Sequence, residues 1–110
     1  MPGPSEAIVV LMTAASVEEA ARIAEALVER KLAACVQVLP EIQSIYVWEG
    51  QVQREKEVLI LAKSIRPSFD ELEREVRALH SYETPEIVAL PIVLASQPYL
   101  EWLIGSCEAS

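Results

Sequence analysis

Ser44-Ile45-Tyr46-Val47-Trp48-Glu49-Gly50, with the arm that follows it from Gln51 to Lys63, decides the reading of this chain. Bulky residues alternate into a Glu-Gly turn and the chain runs out again, the pattern of a long β-hairpin turning at Glu49-Gly50. The outgoing arm opens with Gln51-Val52-Gln53-Arg54-Glu55-Lys56-Glu57, almost devoid of apolar residues, and closes with the wholly apolar Val58-Leu59-Ile60-Leu61-Ala62. One end of the hairpin therefore belongs to a core and the other projects from it. A two-stranded ribbon is marginal in water by itself, and its edges invite pairing with another chain. The predicted use of the ribbon is to hold an oligomer together.

Upstream, Ala7-Ile8-Val9-Val10-Leu11-Met12 is a continuous apolar run, as expected of a central strand buried on both faces. Ser16 and Glu19 have the spacing of a capping box. Ala20, Ile23, Ala24, Leu27 and Val28 follow as one helical stripe, giving a helix from about Val17 to Lys31. Leu32 to Leu39 returns as a strand, and Pro40, which cannot donate to a ladder, marks a bulge or an edge.

Downstream, Arg66-Pro67 ends the third strand, and Ser68 with Glu71 predicts a second capping box. Phe69, Leu72, Val76 and Leu79 stripe the second helix, which ends near His80. Ile87 to Leu94 supplies a fourth strand interrupted at Pro91, and Ser96 caps a last helix that Gly105 ends. The order is βαββαβ plus a terminal helix, so the predicted class is α+β, a ferredoxin-like sandwich with a long hairpin between its second and third strands. Right-handed crossovers put both main helices on one sheet face. The terminal helix or another subunit must then cover the other. Residues 1–6 are expected as a disordered lead, 7–105 as a single domain and 106–110 as a tail.

Composition narrows the function. The 110 residues suffice to bury roughly two thirds of the unfolded surface. With 52% hydrophobic and 24% charged residues, a soluble globular protein follows. Seventeen acids against 9 bases give a net charge of −8, which argues against nucleic acid and anionic membrane surfaces as partners. The six-residue apolar run at Ala7–Met12 is too short for a signal-peptide core or a membrane span, so a cytoplasmic location is expected. Cys35 and Cys107 are then reduced thiols: Cys35 is read as structural packing on a buried strand, Cys107 as exposed and incidental. Three glycines build neither a dinucleotide fingerprint nor a phosphate loop, and no triad spacing involves the single histidine. An enzyme is not expected.

Three blocks carry a family resemblance: Leu32-Ala33-Ala34-Cys35-Val36, Ser44 to Gly50, and His80-Ser81-Tyr82-Glu83-Thr84-Pro85-Glu86-Ile87. Glu57, Lys63 and Tyr99-Leu100-Glu101-Trp102 support them. Together they resemble the CutA family of divalent-cation tolerance proteins, over about Ile8 to Ile104. The resemblance implies a tight homotrimer, similar in architecture to PII signalling proteins, with a role in copper and other metal tolerance and no agreed catalytic activity. The chain departs from the pattern at Ser81, where many members have Pro, and at Gln37, where many have Asn. Copper-binding members place Cys where Met12 stands, and some a second His where Leu79 stands.

Each candidate residue has a structural reading beside its functional one. His80 is either a helix C-terminal cap or, with Met12 as a soft thioether donor, a weak copper site. Glu55 and Glu57, about 7 Å apart on one strand face, suit a divalent cation or an ion-pair face. Lys63 suits a small anion or a neighbour's Glu. Tyr46, Trp48, Tyr82, Tyr99 and Trp102 suit subunit contacts or the walls of a ligand cleft, and Glu83 and Glu86 suit its rim or ordinary loop ion pairs. The first reading is a trimeric binding or scaffold protein of metal tolerance that requires no cofactor. The second is a PII-like sensor taking a small anionic metabolite in an intersubunit cleft through Lys63, Tyr82 and Trp48.

Overall fold

In the computed structural model, residues 6–108 are described; residues 1–5 of the expected lead, and 109 and 110 of the expected tail, lie outside them. The elements run β1 (Ala7–Ala14), α1 (Val17–Glu29), β2 (Cys35–Trp48), β3 (Gln51–Ile65), α2 (Phe69–Leu79), β4 (Ile87–Pro91) and α3 (Gln97–Cys107). The four strands form one antiparallel sheet in the order β2-β3-β1-β4. Two βαβ units thus interleave, because β3 lies between β1 and β2 while β1 lies between β3 and β4.

Strand alternation assigns the two faces. Ile8, Val10, Met12, Val58, Ile60 and Ala62 point one way and pack beneath Ala20, Ile23 and Leu27 of α1 and Leu72 and Val76 of α2. The periodic apolar positions of both helices thereby find the same sheet face. On the opposite face α3 seals one end only: Leu100, Leu103, Ile104 and Cys107 pack on Ala7 and Ile65, which are cross-strand partners. Beyond that end the face stays uncovered and largely apolar, with Lys63 and Gln37 among its residues. Its cross-strand pairs include Val9↔Leu90, Leu11↔Val88 and Leu59↔Leu39, and Val88, Leu90 and Leu39 are 47%, 45% and 39% exposed. Such a contiguous patch is a mark of an interaction surface.

The hairpin extends along a molecule 49 Å in its longest dimension. Glu49 and Gly50 take φ values of 51° and 77°, the left-handed pair that a two-residue hairpin turn needs. The register slips between Leu39 and Ile42, where Pro40 removes a ladder donor.

Several local expectations are corrected. α1 stops at Glu29, because Lys31 turns into the left-handed region at φ 58°. Ser68 sits in a 3-10 turn (Arg66–Ser68) with helical dihedrals and makes no side-chain cap, since an N-cap needs an extended residue there. Ser96 likewise gives no side-chain cap. β4 ends at Pro91 instead of reaching Leu94. Gly105 does not end α3, which continues to Cys107. The folded unit therefore reaches past residue 105, and Cys107 is buried where exposure was expected, its thiol pushed up by that burial. Cys35 is half-buried.

Candidate functional site

The projecting half of the hairpin and the loop after α2 border an open cleft of about 810 Å³. Strand alternation places Glu55 and Glu57 on the same side of β3, and the register sets Tyr46 of β2 opposite Gln53 and Ser44 opposite Glu55. Tyr46, Trp48, Glu55, Glu57, Tyr82 and Glu86 line this space. Neither Lys nor Arg is among the lining residues. Each tyrosine is tied to a carboxylate. The Tyr46 hydroxyl donates to Glu55 Oε1, and that of Tyr82 to Glu57 Oε2 at 3.1 Å. The bond to Glu55 holds the Tyr46 phenol above its ordinary range. Burial, followed by the bond to Glu57, pushes the Tyr82 phenol up to about 12.

The loop bearing Tyr82 is fixed from beneath. Tyr82 N–H donates to His80 Nδ1 at 3.0 Å, which places the ring proton on Nε2; that nitrogen meets the Thr13 carbonyl oxygen at 2.7 Å. The rings of His80 and Tyr82 lie 4.7 Å apart. Buried Glu19 completes the anchor, Oε2 accepting Ser81 N–H at 2.6 Å and Oε1 accepting Ala15 N–H at 3.0 Å. Ser16 accepts Glu19 N–H as a capping box requires, while the carboxylate reaches one residue further back than Ser16 and across to a second loop. Burial alone would raise the Glu19 carboxyl, but the backbone donors at Ala15 and Ser81 outweigh it and hold the group below its ordinary value.

The cleft unites Tyr46, Trp48, Glu55, Glu57, Tyr82 and Glu86 from the sequence reading and leaves the rest elsewhere. His80 and Met12 do not fit copper as they stand: both ring nitrogens of His80 are engaged, and Met12 is wholly buried in the core beneath the helices. Among the described residues no three His, Cys, Asp or Glu side chains are grouped to hold a metal ion. Lys63 donates to Gln37 Oε1 at 2.6 Å and pairs across the ladder with Cys35, on the sheet face that α3 leaves open. Tyr99 and Trp102 meet on α3 as a tilted pair, ring centroids 5.5 Å apart, at its exposed surface. Glu83 is exposed in the loop. Glu19 escaped the sequence reading as a site residue because its capping spacing gave it a sufficient local role. Thr13 carried no signal, and Gln37 stood out only as a departure from the family pattern.

Comparison with known proteins points one way. The family model described as CutA1 divalent ion tolerance protein matches residues 8–106. The chain is 50% identical to the divalent-cation tolerance protein CutA of Thermus thermophilus over 86% of its own length and 92% of the relative's. It is 43% identical to the chloroplastic protein CutA of Arabidopsis thaliana over 90% of its length, spanning 54% of that longer protein. The solved Thermus thermophilus structure superposes with a TM-score of 0.90 at 47% identity, covering 93% of this chain and 99% of that one. The structure of the periplasmic divalent cation tolerance protein CutA from Archaeoglobus fulgidus gives 0.89 at 40% identity, covering 93% and 99%. Relatives thus carry chloroplastic and periplasmic names beside the cytoplasmic expectation. No helix among the described residues is long and apolar enough to cross a membrane.

Proposed function

The chain belongs to the CutA1 divalent ion tolerance family, and on that premise we propose that it works as a homotrimeric binding or scaffold protein of divalent-cation tolerance, without catalysis and without a resident cofactor. The observation that carries this reading is the half-covered sheet. An apolar face running through Leu11, Leu61 and Val88 is sealed by α3 at one end only, and the adjoining hairpin exposes Ile45, Val47 and Val52. Both features lower their free energy when a second and third copy cover them. A ferredoxin-like protomer in a PII-like trimer is the assembly that buries both.

Divalent ions are held loosely in this reading, by carboxylates on a chain of net charge −8. The engaged nitrogens of His80 favour that over a preformed copper centre. A small anionic metabolite finds no cation in the lining of the cleft. Native mass spectrometry during titration with Cu(I) and Cu(II) tests both parts. The expected spectrum is a trimer that retains no copper after desalting. A monomer would overturn the assembly, and three coppers retained per trimer would overturn the loose-binding part.

A further inference from the structure

From its lining, we infer that the cleft between the projecting half of the hairpin and the Tyr82 loop is a binding site for a small organic cation, a short alkyl diammonium in extended form. A single inorganic ion would fill only a small part of this open cleft of about 810 Å³. It would also need several oxygens converging at about 2.0–2.6 Å, whereas no ion-holding group of carboxylates exists among the described residues. Two of the three lining glutamates are instead each bonded to a tyrosine, at Tyr46–Glu55 and Tyr82–Glu57, which holds them against separate parts of the wall.

The wall complements an organic cation in three respects. Its charge is one-sided, with Glu55, Glu57 and Glu86 and neither Lys nor Arg. Beside the uncharged Thr13, Ser44, Ile45, Gln53 and Thr84 it carries three aromatic rings, Trp48, Tyr46 and Tyr82, a residue type whose π faces attract ammonium groups and against which methylene stems pack. Its carboxylates are spaced, since Glu55 and Glu57 stand two residues apart on one strand face, about 7 Å by strand rise. An extended four-carbon diammonium spans that interval, placing one charge near each glutamate and its stem along the rings. The tyrosine hydroxyls occupy one oxygen of each glutamate and leave the other to accept from the ligand.

Calorimetric titration of the full chain with 1,4-diaminobutane tests this, with 1-aminobutane and magnesium chloride as comparators. Saturable binding of one diamine per chain is expected, about tenfold weaker for the monoamine and for Glu57→Gln, each of which loses one charge pairing. Glu25→Gln, which removes the same charge from the outer face of α1, should bind as the unaltered chain does. If Glu57→Gln folds poorly, Trp48→Leu on the exposed hairpin must weaken binding instead. Equal heats with magnesium, an absence of saturation, or binding of a lysine-containing peptide but not of the free diamine would each overturn the inference. Because the titration counts sites per chain, a monomeric mass would refute the trimer and leave this result standing.

Discussion

Glu19, in the first turn of α1, and Ser81, just beyond α2, are joined across 62 residues by one hydrogen bond, the Ser81 N–H donating to Glu19 Oε2 at 2.6 Å. The same carboxylate takes the Ala15 N–H, so one buried side chain closes two loops. Glu19→Gln keeps the shape but turns an amide N–H₂ toward a backbone donor, and should cost about 1–3 kcal/mol at neutral pH. The folded carboxyl titrates below its ordinary value of 4.5, so its contribution is present above that value and lost as pH falls through the lower folded one. Denaturant melts of the two proteins should therefore separate at pH 7 and converge in strong acid. A constant gap down to acid pH would refute the charged role.

Tyr82 supplies the alkaline counterpart. Its phenol titrates at about 12 in the fold against an ordinary 10.0. The stability linked to it is complete below 10.0 and disappears as pH rises through 12. Ultraviolet phenolate titration should show one tyrosine delayed to that range. In Glu57→Gln the delay should shorten, because the charged acceptor is gone, but persist in part because burial is the larger cause.

The alternating and helical periodicities of the chain were enough to place every strand and every helix, because burial on one face imposes a period that sequence shows directly. The hairpin turn was legible for the same reason: Glu49-Gly50 interrupts two alternating arms. The start of α1 at Ser16 and the end of α2 at His80 were legible too, but other helix ends were not. Ser68 has the composition of a cap but helical dihedrals, and Gly105 has the composition of a stop but lies inside α3. The first lies in the 3-10 turn Arg66–Ser68 that precedes the helix, and in the second Cys107 reaches the cluster around Ala7 and Ile65. The cleft was half legible. Its aromatics and glutamates stood out, but Lys63 was grouped with them although Gln37 holds it on the open sheet face. Six residues of β3, about 20 Å by strand rise, separate Lys63 from Glu57.

His80 separates a structural from a metal-binding reading. With Nδ1 accepting from Tyr82 and Nε2 bonded to the Thr13 carbonyl, it holds the loop to the end of β1. His80→Ala should cost about 1–3 kcal/mol in a chemical melt and leave copper retention in the mass spectrum unchanged. Loss of bound copper without loss of stability would reverse that assignment.

Val47 and Val52 face each other across the hairpin ladder and are 66% and 62% exposed, with Ile45 at 55% on the same side. None of the three belongs to either buried cluster, so the protomer core does not depend on them. Their exposure is costly only while the chain is alone, since fully burying one such side chain is worth about 1.5–3 kcal/mol. Val47→Asp places a charge in that patch, which an interface must desolvate without a partner. The variant should keep the circular dichroism of the folded protomer and elute as a monomer in size-exclusion chromatography with light scattering. The unaltered chain should elute at three times that mass. A Val47→Asp protein that remains a trimer would show that the projecting hairpin is not what holds the copies together.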